Sequence, residues 1–164
     1  MNNGFTFNGV HSGAFFIVNG KRRAIHAPIT TKLITVPNLP GAYDAGNEIG
    51  VLNIEVDVTI TAKTAAERRQ LTRNISNWLY TEEIKPLVFD DEPDKTYYAK
   101  LTGDTGLGSE SVENITLTFV CPDPFAYGKE LEVDFPSDSV VIENPGTAEA
   151  DPIFELTAKE PTTF

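Results

Sequence analysis

Cysteine is almost missing from this chain: Cys121 is the only one in 164 residues. A single thiol excludes an intramolecular disulfide and a cysteine-rich zinc site. Histidine is scarce as well. His11 and His26 are the only two, which leaves little for acid–base catalysis or metal ligation. No apolar run approaches the ~20 residues that span a bilayer, so no membrane partner is expected. Residues 1–7 have neither a basic nor an apolar stretch of the kind a signal peptide carries, so none is expected. Cations are in the minority, 13 Lys and Arg against 24 Asp and Glu, for a net charge of −11. That balance disfavours a protein that grips nucleic-acid phosphates. What remains is 40% hydrophobic and 23% charged, the make-up of an ordinary soluble globular chain. At this length one domain is expected, with at most an appendage.

The charge is unevenly spread. Residues 1–80 hold eight basic and five acidic side chains, a balance of +3. Residues 81–164 hold five basic and nineteen acidic ones, a balance of −14. Either two stretches of surface simply differ, or a basic face of one copy meets an acidic face of the next in a head-to-tail assembly.

Strand signals dominate. Residues 5–18 read as two short strands around Asn8-Gly9, a dipeptide that tolerates the positive φ of a hairpin turn. Asn19-Gly20 repeats the turn signal, and strands are expected over 21–26 and 30–36. Val36-Pro37-Asn38-Leu39-Pro40-Gly41 then predicts a loop. The clearest strand is expected over about 49–62. There Leu52, Ile54, Val56, Val58 and Ile60 alternate with Asn53, Glu55, Asp57, Thr59 and Thr61, so one face is buried and the other wet. Such a strand either crosses a whole sheet or projects as an arm.

One helix is expected at about 65–80. Thr64-Ala65-Ala66-Glu67 has the form of a capping box. Leu71, Ile75, Trp78 and Leu79 follow at helical spacing as an apolar stripe. Further strands are expected over 87–89 and 97–101, around the polar turn 90–95. A glycine-rich loop over 103–109 follows, then a strand over 110–121 stopped by Pro122 and Pro124. Three short strands are expected at 131–133, 140–142 and 153–156, the last two separated by the Pro- and Gly-bearing stretch 144–152. Many short strands with one helix predict a mainly β fold, a β-sandwich or two-sheet architecture with the helix flanking the sheets.

No catalytic constellation assembles. Nucleophilic catalysis needs a base beside Ser or Cys, and neither histidine is so placed; Cys121 reads as a small core residue on a strand face. Asp90, Asp91, Glu92 and Asp94 lack the glycine and ligand spacing of a calcium loop and read as a solvated turn. Glu55 and Asp57 share a wet strand face. Gly106-Leu107-Gly108 lacks the lysine of a phosphate cradle. The two basic clusters, Arg22-Arg23 and Arg68, Arg69 and Arg73, are not interleaved with aromatics as in single-strand binders. They are expected to meet carboxylates of the same chain or of a neighbour. Phe5 and Phe7, with Phe15 and Phe16, lie in short segments near the terminus and are candidates for a subunit contact, where aromatics are enriched. The expected interface set is therefore Phe5, Phe7, Arg22, Arg23, Arg68, Arg69 and Arg73. No cofactor and no metal are expected.

The order of several pieces resembles the N-terminal domain of siphophage distal tail proteins. They are Phe5-x-Phe7-Asn8-Gly9, Val36-Pro37 with Gly41-Ala42, and the alternating strand leading to a helix that ends Trp78-Leu79. Leu87-x-Phe89-Asp90-Asp91-Glu92-Pro93-Asp94 with Tyr97-Tyr98-Ala99 follows, then Leu117-x-Phe119-x-Cys121-Pro122-Asp123-Pro124-Phe125-Ala126-Tyr127. The resemblance covers about residues 5–128. It implies a β-sandwich of the tail-tube and distal-tail type, working in the virion at the tail tip after assembly in the host cytoplasm. It further implies a hexameric ring that joins the tail tube to the hub and adhesion proteins, with DNA passing through its lumen. The loop after Val36 departs from the family's Pro-Gly-Arg, reading Pro37-Asn38-Leu39; Asn38 can still take positive φ, but an arginine contact is lost. Residues 1–128 are expected to form the ring domain. Residues 129–164 are expected to be a linker and the start of a second, galectin-like domain, of which only 142–156 has a resemblance, so the chain reads as truncated or as a short form. Two alternatives stand beside the ring. One is a major tail-tube protein, which would stack into tubes. The other is a monomeric carbohydrate- or protein-binding module with an aromatic platform drawn from Tyr97, Tyr98 and Tyr127.

Overall fold

A computed structural model describes residues 3–104, 106, 112–134 and 139–155. The chain divides into two units, residues 1–129 and 130–164.

The first unit is mainly β with one helix, as the alternating patterns predict. Its strands are β1 (Phe5–Phe7), β2 (Val10–His11), β3 (Ile17–Arg23), β4 (Ile29–Ile34), β5 (Tyr43–Ile49), β6 (Leu52–Thr61), β7 (Lys85–Phe89), β8 (Glu92–Thr102) and β9 (Val112–Cys121), with helix α1 (Ala65–Leu79) between β6 and β7. Seven strands form one antiparallel sheet in the order β2-β1-β7-β8-β9-β6-β3, and β4 and β5 pair only with each other. β8 changes partners along its length. Its first part pairs with β7, down to Lys85↔Ala99, and its last residues, Lys100 to Thr102, pair with β9. The change of partner folds the sheet into two facing halves. Phe5 on β1 lies 5.6 Å from Phe119 on β9, ring centre to ring centre, across the gap between them.

Alternation on β6 has the expected result. Leu52, Ile54, Val56, Val58 and Ile60 are buried, while the intervening residues face outward. β9 pairs with β6 along ten residues, from Leu52↔Cys121 to Thr61↔Val112, and adds Leu117, Phe119 and Cys121 to the core. Burial raises the Cys121 thiol to about 11, with the Asp123 charge adding to it, so the thiol stays protonated at neutral pH.

α1 caps this core. Thr64 Oγ1 accepts from the Glu67 N–H at 3.1 Å, and Glu67 Oε2 accepts from the Lys63 N–H at 2.9 Å. The reciprocal bond thus reaches one residue further back than in a capping box proper. Ile75, Trp78 and Leu79 are buried and Leu71 partly so. Trp78 stacks on Phe15 at 5.0 Å and on Phe5 at 6.0 Å, and its indole N–H donates to the Phe7 carbonyl at 2.8 Å. Each such aromatic removes 150–250 Å² from water, a gross gain of roughly 4–6 kcal/mol.

Several expected boundaries shift. Asn19-Gly20 is no turn: it sits at a register shift inside β3, between Val18 and Gly20. The expected strand at 21–26 accordingly ends at Arg23. The expected strand 49–62 begins at Leu52, and Ile49 belongs to β5, which the sequence reading passed over. Asp44, Gly46 and Asn47 in that stretch have low strand propensity. Pro86 and Pro93 lie within β7 and β8, so the turn expected over 90–95 shrinks to Asp90 and Asp91. Of the glycine-rich loop, Thr105, Leu107, Gly108 and Ser109 lie outside the described residues, as do Glu110 and Ser111 of the expected strand 110–121.

In the second unit the described residues contain no strand or helix, so the strands expected at 131–133, 140–142 and 153–155 are not formed; Leu156 lies outside the described residues. Asn144 Oδ1 accepts from the Gly146 N–H, and its amide donates to the Ala148 carbonyl, both at 2.8 Å. These two bonds shape the turn at Pro145-Gly146. Leu131, Val141, Ile153 and Phe154 are exposed. With no ladder to supply hydrogen bonds, strand-like sequence alone does not hold a strand.

Candidate assembly interface

The β4–β5 hairpin is the most unusual part of the first unit. Every residue of both strands is exposed. Its base is closed by the Gly50 N–H donating to the Pro28 carbonyl at 2.8 Å. Five pairs hold it from Ile29↔Ile49 to Ile34↔Tyr43, with a register shift between Thr31 and Leu33. Gly46 at φ 95° provides the irregularity, and the Asp44 carboxylate accepts from its N–H. Lys32 pairs with Glu48 at 2.8 Å. The tip is the predicted loop. Asn38 has φ 64° and Gly41 φ 89°, and the Leu39 N–H donates to the Val36 carbonyl at 3.2 Å. Ile29, Leu33, Ile34, Tyr43 and Ile49 each leave 51–63% of their surface in water, and Leu39 at the tip leaves 55%.

Two physical arguments mark this arm as an interaction element. An isolated two-stranded hairpin is marginal in water. Its open edges and apolar side chains invite pairing. The sequence offered the option of a projecting arm but placed it on 49–62. The missed signal was Ile29 to Ile34, a β-branched run with no alternation, which has no core face because no core lies beside it.

The expected interface residues fall into three groups. Phe5 and Phe7 are fully buried. They are core residues with no surface to give a neighbour, and Phe16 is buried with them while Phe15 packs against the same cluster. Their placement corrects the expectation: three-residue β1 looked too short to be central, yet it lies between β2 and β7 and faces Trp78.

Arg22 and Arg23 meet carboxylates of their own chain. Arg22 lies 3.4 Å from Glu55 and 3.3 Å from Asp57 on the adjacent β6. Asp57 also accepts from the Thr116 hydroxyl at 2.6 Å. That bond, against the cost of burial and with the Arg22 charge and hydrogen bond adding to it, holds its carboxyl below the usual value. Arg23 pairs with Asp91 and, at 3.1 Å, with Glu92. Lys21 reaches Asp91 at 2.8 Å, and both cations lie over the Phe89 ring. Burial pushes the Asp91 carboxyl up, but the Lys21 hydrogen bond, its own backbone and the charges of Arg23 and Lys21 together hold it below its usual value. These pairs tie β3 to the β7–β8 turn, one half of the sheet to the other.

Arg68, Arg69 and Arg73 are different. Arg69 and Arg73 are exposed, Arg68 is half-buried, and none forms an ion pair with a described residue. Thr72, Arg73, Ser76, Asn77 and Tyr80 line a shallow groove on the same outward side of α1.

The tyrosines do not form one platform. Tyr97 is half-buried against Phe89, and its hydroxyl donates to Glu92 at 3.2 Å. Tyr98 and Tyr127 meet edge to face at 5.6 Å, and the Tyr127 hydroxyl is engaged by Asp123. Among the described residues no cluster of three or more His, Cys, Asp or Glu could hold a metal ion, and no helix is long and apolar enough to cross a membrane.

Comparison with known proteins places this architecture. The chain is 27% identical over 132 residues to the distal tail protein of Bacillus phage SPP1, covering 77% of this chain and 52% of that protein. It therefore spans about half the length of that relative. The solved structure of the SPP1 protein, titled as a paradigm of the hub adsorption apparatus in phages infecting Gram-positive hosts, superposes with a TM-score of 0.70. That match is at 24% identity and covers 78% of this chain and 53% of the other, so the fold is shared. Residues 11–121 match the phage tail protein RIFT-related domain, and the chain belongs to that family, as a structural component of a phage tail.

Proposed function

We infer that this chain is the ring-forming part of a tail tip: six copies close into a ring that joins the tail tube to the hub and adhesion proteins, with DNA passing through the lumen. The observation that carries the reading is the fully exposed β4–β5 arm. An apolar hairpin that its own unit leaves in water gains a cover when it lies on the next copy around a ring. The SPP1 relative supports the placement at the distal tail. The net charge of −11 suits a conduit that must release its cargo, because a negative wall repels phosphate. The role is mechanical and needs neither catalysis nor a cofactor. Residues 1–128 supply the ring domain, and residues 129–164 follow it as a linker. Assembly takes place in the host cytoplasm and the product sits at the tail tip of the virion.

Negative-stain electron microscopy of the purified chain tests this reading. Single or paired six-fold rings with an open centre are expected. Long stacked tubes would favour a tail-tube protein instead, and monodisperse single subunits at high concentration would count against any ring.

A further inference from the structure

Two sets of described side chains, of opposite charge, form no ion pair. One is the outward face of α1. Arg69, Arg73, Asn77 and Tyr80 follow one another at helical spacing on the side opposite Ile75, Trp78 and Leu79. Arg68 lies instead on the side of Ile75 and Leu79, half-buried, with an Nε that has no hydrogen-bond partner. Tyr80 and Ile84 add exposed apolar surface, at 73% and 46%. The other is the start of the second unit, Glu130, Glu132 and Asp134. Between residues 130 and 155 the chain carries eight carboxylates and no Lys or Arg. Its Glu130-Leu131-Glu132-Val133-Asp134 stretch alternates charge with exposed apolar side chains. All other cation-rich positions near β3 are already paired, Lys21, Arg22 and Arg23 each with a carboxylate of the same chain. Among the described residues Arg69 and Arg73 are thus neighbouring cations without an ion pair, as Lys63, Lys100 and Lys129 are singly, and Glu130, Glu132 and Asp134 are neighbouring carboxylates without one.

We propose that the acidic stretch beginning at Glu130 docks on the α1 face of a second copy of this chain, its carboxylates against Arg69 and Arg73 and its apolar side chains against Tyr80 and Ile84. The inference rests on the ring reading and deepens it, adding a second, electrostatic contact to that of the arm. A helix face and an extended acidic–apolar strip give a heterologous contact, the type that repeats around a ring. Complementary charge also fixes which face meets which.

The test is a charge swap read as assembly mass. Variant one carries Arg68→Glu, Arg69→Glu and Arg73→Glu. Variant two carries Glu130→Lys, Glu132→Lys and Asp134→Lys. A third, Arg69→Glu with Arg73→Glu, spares half-buried Arg68 and guards against misfolding, which Trp78 fluorescence monitors. Each variant alone should need at least roughly tenfold more protein than wild type to assemble at low salt, since several exposed pairs turn repulsive together. An equal mixture of variants one and two should recover wild-type assembly, because neighbours then match although neither chain matches itself. Wild-type rings with unaffected variants, or a mixture that fails to recover, would overturn the docking while leaving the ring. A wild type that never assembles would sink both.

Discussion

Trp78 ties the helix to the sheet. Its indole stacks on Phe5 and Phe15 and donates to the Phe7 carbonyl, so it fills the gap and satisfies a strand-end acceptor at once. Trp78→Ala is expected to lower unfolding stability by about 3–5 kcal/mol, the usual cost of deleting a large core aromatic, with a matching fall in the urea midpoint. Asp91 makes a different kind of contribution. Against the cost of burial, the Lys21 hydrogen bond, the Asp91 backbone and the charges of Arg23 and Lys21 hold its carboxyl below the usual carboxylate value. A depressed folded value means the stabilisation is present above the unfolded value and is lost as pH falls through the folded one. Asp91→Asn should therefore reduce stability at neutral pH and flatten its acid limb below about pH 4, as followed by thermal melts across pH. At this scale the sequence was legible where alternation marked the core, from Leu52 to Ile60. It misled at Phe5 and Phe7, because three residues carry no period and their burial depends on β7, more than seventy residues later.

At the scale of elements, α1 was legible almost to its ends, since a cap and a 3–4 stripe are local signals. β5 was not. Its residues have weak strand propensity, and only pairing with β4 holds it extended. The arm was half-legible: its loop could be read from the prolines and glycine, but that no core would cover it is a tertiary fact. The same holds for the second unit, whose apolar triplets look like strands yet lack a ladder among the described residues. Replacing residues 29–49 by a short Gly-Ser linker should leave the sandwich folded, because the hairpin buries nothing in it. The melting temperature is expected to change little while self-association is lost, checked by circular dichroism and gel filtration side by side.

For the whole molecule, the +3 and −14 halves resolve into distinct parts. The cations of β3 staple the two sheet halves together. Arg69 and Arg73 on α1 form no ion pair among the described residues, nor do Glu130, Glu132 and Asp134. No enumeration of charge could separate these roles, since the sequence does not state which partners lie within reach. The family relationship, by contrast, was carried by the order of modest motifs along the chain and is matched by the shared fold. The arm is then the most direct point of attack on the ring. Absolute mass by light scattering after gel filtration, of the intact chain and the arm-shortened chain together, measures it. A mass near six times 18.0 kDa for the intact chain, and a single-subunit mass for the shortened one, is the predicted result. Equal masses for the two chains would contradict assembly through the arm.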